Sequence, residues 1–335
     1  MASPAVAETT SNGTRERAGE TLAILGCGYM GTAILLGVLS AQASRSQTTA
    51  AQLLPTTFHA CVRRAELADR IRSTLSSHGL GSTVSLYTSN NVAAVGQAEI
   101  VLLACQPHLY KSVLDQDGMV DALEGKLIIS VLAGVTADEI ENHLHHLAAG
   151  SPKAADDTTS SPSRPVFSVV RVMPNIASAV RASSTVLETR PQQHVRPLHK
   201  HFEATAHAIF SCVGTVFVTQ PETFAICTTL NGSTPAFFAM IIDGLVDGAV
   251  ALGLSHNEAT QMAAATMQGT AELILSGKRT HDLRYEVACP GGATIQGLQV
   301  LEKASTRAVW MDAMRAATSE QNGLGDGPKV QRDRA

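Results

Sequence analysis

Five uncharged residues, Thr21–Leu25 (TLAIL), run into Gly26-Cys27-Gly28-Tyr29-Met30-Gly31, and a second apolar run, TAILLGVL, follows at once. A segment of this kind buries best as a strand, a tight glycine turn and a helix packed back on the strand. By itself GxGxxG is a weak signal, because glycines mark turns of many kinds. Its weight comes from the sequence that follows.

That sequence alternates. Apolar runs at 21–25, 57–62 (TFHACV), 99–105, 126–133 and 166–173 are separated by helical patterns at 30–41, 65–77, 108–115 and 136–148. The runs are continuous and often β-branched, as in strands covered on both faces. The expectation is an α/β fold, a Rossmann-type doubly wound parallel sheet over 21–184. From about 185 helical periodicity dominates to 322, including the nearly uncharged PAFFAMIIDGLVDGAVALGL (235–254). A helix apolar nearly all round is buried on all sides. With Asp and Gly interrupting it, burial against a second subunit is expected, so 185–322 reads as an all-α substrate and dimerisation domain. Residues 1–20 and 323–335 read as flexible tails. The Ser/Thr/Ala/Pro-rich stretches 42–56 and 149–165 read as surface insertions, the second of them disordered.

Composition narrows the function. With 44% apolar and 16% charged residues the chain is globular, and its 335 residues suffice for two domains. A net charge of −4 and 4% aromatics argue against nucleic-acid binding. The six cysteines are far apart, with no CxxC and no His/Cys cluster, which predicts a reducing compartment and no metal. Residues 1–20 lack the apolar core of a secretory signal, and Glu8, Glu16 and Glu20 argue against a mitochondrial presequence. No apolar run was expected to reach the roughly 20 residues that span a bilayer. A cytoplasmic protein with no membrane contact is predicted.

In the strand–turn–helix unit, Gly26 permits the turn, Gly28 lets backbone approach a pyrophosphate, and Gly31 allows close helix packing. Enzymes that prefer NAD usually end the second strand with an acid; here Cys61-Val62 is followed by Arg63-Arg64, with no acid before Glu66. Two guanidiniums suit a ribose 2′-phosphate. NADPH is therefore the expected cofactor, with NADH possible. In the second half, LNGSTPAFF (230–238) and ACPGGATI (288–295) are polar turns between apolar helices. Their N–H groups and the hydroxyls of Ser233, Thr234 and Thr294 could gather around a small carboxylate.

NGSTPAFF (231–238) with CPGGATIQGL (289–298) resembles the paired signature of the pyrroline-5-carboxylate reductases. The resemblance runs from about 20 to 322 and includes LGCGYMG, ACQPH (104–108), VLAGVT (131–136), RVMPN (171–175) and DGLVDGAVALGL (243–254). It implies reduction of the C=N bond of Δ1-pyrroline-5-carboxylate to L-proline, by a homodimer joined through helical domains and often built into larger rings. By matching position, Gly26, Gly28, Tyr29, Met30, Gly31, Arg63, Arg64, Asn91, Ala104, Gln106, Pro107, Ala133 and Asn175 would serve the cofactor. Asn231, Gly232, Ser233, Cys289, Gly291, Gly292, Ala293 and Thr294 would hold the substrate, with Ser233, Thr234 and Thr294 positioning it. No acid–base residue is assigned, because a protonated imine needs only a well-placed hydride. A hydroxyacid dehydrogenase would need a base, commonly Lys or His, and 231–275 has no Lys and only one His, His256, at a helix start.

The chain departs from the family's usual residues at Gln106, Ala177, Asn231, Thr234, Tyr285 and Cys289. Thr234, where glycine is usual, was expected to narrow the substrate pocket or to disturb the backbone. Two alternatives therefore stand beside the leading one: a reductase of a related cyclic imine, such as a substituted pyrroline or a piperideine carboxylate, and a non-catalytic NADP-binding sensor.

Overall fold

The computed structural model describes residues 20–43, 52–80, 83–150, 166–190 and 198–321; the expected tails and most of the insertion at 149–165 lie outside them. The strands are β1 (Thr21–Leu25), β2 (Thr57–Val62), β3 (Val84–Thr88), β4 (Ile100–Leu103), β5 (Leu127–Ser130), β6 (Ser168–Met173), β7 (Ser183–Glu188) and β8 (Gly214–Thr219). They form one sheet in the order β3-β2-β1-β4-β5-β6-β7-β8. Every pairing is parallel except β6 with β7. The chain winds outward from β1 in both directions, so a crevice opens at the carboxyl ends of β1 and β4, where the winding reverses.

Both faces are covered, as the unbroken apolar strands require. Leu22 and Ile24 point into a cluster with Ile34, Leu35, Phe58 and Phe210, while Ala23 and Leu25 enter another with Val101, Leu103 and Leu144. The covering helices are α1 (Tyr29–Ala43), α2 (Ala65–Ser77), α3 (Asn91–Gly96), α4 (Tyr110–Leu114), α5 (Met119–Leu123), α6 (Ala137–Ala149) and α7 (Lys200–Ser211). Thr136 and Glu139 close a capping box at the start of α6.

The sheet does not stop at 184. Strand β8 pairs in parallel with β7 over its whole length, and α7 buries Ala206, Ile209 and Phe210 in the sheet's core. Residues 185–190 and 198–219, grouped by pattern with the helical domain, thus belong with the sheet. In the 42–56 insertion, Pro55 is buried and Leu54 packs against the core.

The helical part begins at Pro221, with α8 (Pro221–Gly232), α9 (Thr234–Ala251), α10 (His256–Leu275), α11 (Thr280–Val287), α12 (Ala293–Lys303) and α13 (Thr306–Gln321). It is mostly exposed in the single chain, apolar side chains included: Met240 is 70%, Leu275 81% and Leu252 91% accessible. The stretch Pro221–Ala251 is also long and apolar enough to cross a membrane by length and composition alone. This corrects the expectation that no run would reach that length: α8 and α9 are separated only by Ser233, and together they exceed what each pattern showed apart.

Candidate active site

The glycine turn forms as its residues dictate. Gly26 has φ +89°, and a Cβ there would lie 2.7 Å from both Cα and N of Cys105, so only glycine fits. The N–H groups of Gly26 and Cys27 donate to the carbonyl of Cys61 at 3.3 and 2.9 Å, which locks the turn to the end of β2. A Cβ on Gly31 would meet Ile24 Cγ2 at 3.0 Å, which is the close helix–strand contact expected of it. Gly28 is different: its nearest neighbour to such a Cβ is 3.9 Å away, so its face is open. Helix α1 starts at Tyr29, and its first N–H groups, which have no partners inside the helix, lie beside that open face.

A cleft of about 480 Å³ lies against this turn. It gathers seven of the residues expected at the cofactor: Gly26, Gly28, Arg63, Arg64, Asn91, Ala104 and Gln106. An open glycine face, a helix N-terminus and two cations on one cleft fit a dinucleotide bearing several phosphates. Arg63 and Arg64 have no ion-pair partner among the described residues, and Arg64 precedes the first turn of α2 in extended conformation. The cleft also takes in Ser89, whose hydroxyl donates to the carbonyl of Arg63 at 3.2 Å. Ser89 was missed because β3, which delivers it, has a short and half-exposed pattern. Three thiols border the turn; burial pushes Cys27 up to about 11, Cys61 up to about 12 and Cys105 up to about 11. They stay protonated at neutral pH and are poor nucleophiles.

The other expected cofactor residues do not line this cleft. Tyr29 is exposed and Met30 half-buried at the start of α1; Pro107 opens a 3₁₀ turn (Pro107–Leu109) beside it. Gly31 is a packing residue. Ala133 packs with Met173, Val186 and Phe224. Asn175 is 9% exposed; its Oδ1 accepts from the N–H of Ala177 and its Nδ2 donates to the carbonyl of Asn231, so it is spent on the fold.

Among the expected substrate residues, Ser233 forms the one-residue break between α8 and α9, and its hydroxyl is without a partner among the described residues. Asn231 is turned inward: its amide donates to the carbonyls of Met173 and Ser184, at 2.6 and 2.8 Å. Thr234 is buried, helical, and bonded through its hydroxyl to the carbonyl of Leu230. Strain from the loss of a glycine is not found, since the φ of Thr234 is not positive and its hydroxyl turns back onto the last turn of α8. Gly232 is exposed.

The second substrate block is a β-turn. Gly292 N–H donates to the Cys289 carbonyl at 3.0 Å, with Pro290 and Gly291 between them and Gly291 at φ +69°. This is type II geometry, with proline and then glycine at the central positions. It delivers Ala293 and Thr294 to the first turn of α12, where N–H groups face outward. Cys289, Gly291, Ala293 and Thr294 are exposed; within one chain this turn stands apart from the cleft, which none of its residues line.

A wound parallel sheet with a cleft of dinucleotide size at its switch point, followed by an apolar helical domain that one chain leaves uncovered, defines a dinucleotide-binding oxidoreductase fold with an association domain. Residues 221–324 match the family model for pyrroline-5-carboxylate reductase dimerisation, and 21–134 match that for NADP oxidoreductase, coenzyme F420-dependent. The chain is 42% identical over 326 residues to a Δ1-pyrroline-5-carboxylate reductase of Curvularia clavata, covering 92% of this chain and 98% of that one. It is 38% identical over 325 residues to the pyrroline-5-carboxylate reductase of Neurospora crassa, covering 92% and 93%. A solved pyrroline-5-carboxylate reductase from Coxiella burnetii superposes with a TM-score of 0.70 at 26% identity, covering 91% of this chain and 98% of that one. The chain belongs to the pyrroline-5-carboxylate reductase family.

Proposed function

We propose that the protein reduces Δ1-pyrroline-5-carboxylate to L-proline with hydride from NADPH. The observation that carries this reading is the full-length match at 42% identity, in a chain that keeps both the cofactor turn and the two substrate turns. When bound, the reduced nicotinamide supplies the hydride; everything else is positioning. Gly28 and the start of α1 bind pyrophosphate. Arg63, Arg64 and Ser89 face the ribose end, and two unpaired guanidiniums favour NADPH over NADH. The hydroxyls of Ser233 and Thr294, with the N–H groups at the start of α12, hold the substrate carboxylate. The imine nitrogen takes its proton from solvent, hydride adds to the imine carbon, and the C=N π pair becomes the amine lone pair. No side-chain acid is needed.

The exposed apolar surface of α8 to α13 supports a homodimer, in which a second chain covers these helices. A dimer also offers a way for the 289–294 turn to meet a cleft. The described cysteines are all free thiols, which fits a reducing, cytoplasmic setting. The five-membered imine is favoured over a larger ring because the relatives of the chain are pyrroline-5-carboxylate reductases. The test follows NADPH oxidation by the purified protein with the pyrroline and with a six-membered piperideine carboxylate, side by side. Faster turnover of the pyrroline is expected. Turnover of the piperideine alone refutes the substrate, and NADPH binding without turnover of either makes the protein a sensor.

A further inference from the structure

We propose that Asn231 is a positioning residue, whose amide latches the Ser233 turn to the cofactor edge of the sheet and so sets the approach of imine to hydride. The proposal rests on the reductase reading above. Asn231 lies in the last turn of α8 and is 5% exposed. Its two amide hydrogens go to carbonyls of the sheet: Met173, the last residue of β6, and Ser184, near the start of β7. The link is reciprocal. Asn175 returns a hydrogen bond from its Nδ2 to the Asn231 carbonyl at 3.1 Å, and its own N–H donates to Ser183 Oγ at 3.0 Å. Three hydrogen bonds thus join the end of α8 to the carboxyl end of β6, to Asn175 just beyond it and to the adjoining start of β7, at the same edge of the parallel sheet that carries Gly26 and Ala104.

A hydroxyl at this position could not do the same. An amide nitrogen carries two donors and serine one, on a shorter side chain, so one buried carbonyl would lose its partner. The Oδ1 of Asn231 is itself buried without a partner. The amide therefore satisfies two carbonyls while leaving one oxygen unsatisfied, which limits its net gain in stability and leaves geometry as its main effect. Helix α8 has a second anchor at its other end, where Phe224 is buried beneath the guanidinium of Arg171 at 4.2 Å. Loss of the two amide bonds would leave the Ser233 end of α8 held by the Asn175 bond to the Asn231 carbonyl and by buried Thr228 and Thr229, and let that end shift over the carbonyls it had spanned. A displacement near 1 Å at a reacting centre costs on the order of a hundredfold in rate.

The experiment compares wild type with Asn231→Ala, Asn231→Ser and Asn231→Asp in NADPH affinity, thermal midpoint, and kcat and KM for the pyrroline carboxylate. For Asn231→Ala the expectation is NADPH affinity within about twofold of wild type and kcat lower by about 30- to 100-fold. Asn231→Ser keeps one donor and is expected to fall between. Asn231→Asp sets a carboxylate against two carbonyls; its kcat should recover relative to wild type as pH falls and the acid gains a proton to donate, a profile that a packing defect would not produce. Wild-type turnover with all three variants within threefold in kcat, or losses that follow the thermal midpoint alone, overturns the latch. A wild type that binds NADPH and reduces no imine overturns the reductase reading, and the latch with it.

Discussion

Gly26 and Gly28 lie two residues apart in one turn, and the structure gives them different duties that a pair of alanine substitutions separates. At Gly26 an alanine would sit at φ +89° with its methyl 2.7 Å from two backbone atoms of Cys105 and 3.0 Å from the carbonyl carbon of Ala104. The left-handed conformation alone costs about 1–2 kcal/mol. Backbone atoms cannot rotate away from the contact, so β1 and β4 must separate, for a total of about 3–4 kcal/mol. For a domain of this size that lowers the midpoint by about 6–16 °C. At Gly28, which is not left-handed, the nearest atom is 3.9 Å away, so the methyl clashes with nothing and the fold loses only a good helix N-cap, about 1 kcal/mol. The methyl instead occupies the face on which a pyrophosphate would rest, and an affinity loss of about 30-fold or more, about 2 kcal/mol, is expected. Thermal melts and fluorescence titration with NADPH read the two effects separately. If Gly28→Ala binds NADPH as wild type does, the cofactor is not on this face. If Gly26→Ala melts as wild type does, the contact argument is wrong.

Replacing Arg63 and Arg64 together by alanine should weaken NADPH by about tenfold to a hundredfold while leaving NADH within about threefold; equal losses would remove the 2′-phosphate reading. Thr294→Ala should raise KM for the imine with little change in NADPH affinity, and an unmoved KM would take Thr294 out of the carboxylate site. Burial holds the Cys61 thiol at about 12 against an ordinary 9, so its stabilisation is complete below about pH 9 and is lost as pH rises from 9 toward 12. Urea unfolding should then show wild-type stability falling by about 1.4 kcal/mol per pH unit more steeply than Cys61→Ala across that window, and equal slopes would refute it. Met240→Asp, on the exposed face of α9, should sediment as a monomer and lose turnover; a dimer of undiminished activity would exclude this face from the interface.

The central sheet was legible because its strands are buried on both faces and announce themselves by composition: β1 and β2 follow their apolar runs residue for residue, and α2 its amphipathic pattern. The edges were not. Strands β3 and β8 are half-exposed, so VSLYT and GTVFVT lack the continuous burial that marks a central strand. Helix α7 has ordinary helical periodicity, and nothing local says that Phe210 packs under the sheet rather than in a helical bundle. The cofactor cleft was half readable, since Gly26, Gly28, Arg63 and Arg64 sit on legible elements, whereas Ser89 depends on β3. Motif matching placed Asn175 and Asn231 at ligands, but a polar residue at the end of a strand or helix has two possible uses, and here the buried carbonyls of Met173 and Ser184 took the amide.

The apolar length of α8 and α9 admits two readings, lipid or protein, and their polar residues favour the second. Asp243 and Asp247 are both exposed and four residues apart, hence on one face of α9. Both lie in the last third of the Pro221–Ala251 stretch, and a span that included them would carry two acids, each costing up to about 2.5–3.5 kcal/mol deep in a bilayer, against the few tenths gained per apolar residue. In a protein contact the same carboxylates can stay at a hydrated rim, and Gly244 and Gly248 let another backbone come close. The first half of the stretch is tied to the sheet through Phe224 and the Asn231 amide, and the second half carries the two acids, so the exposed surface is better suited to a second protein chain than to lipid.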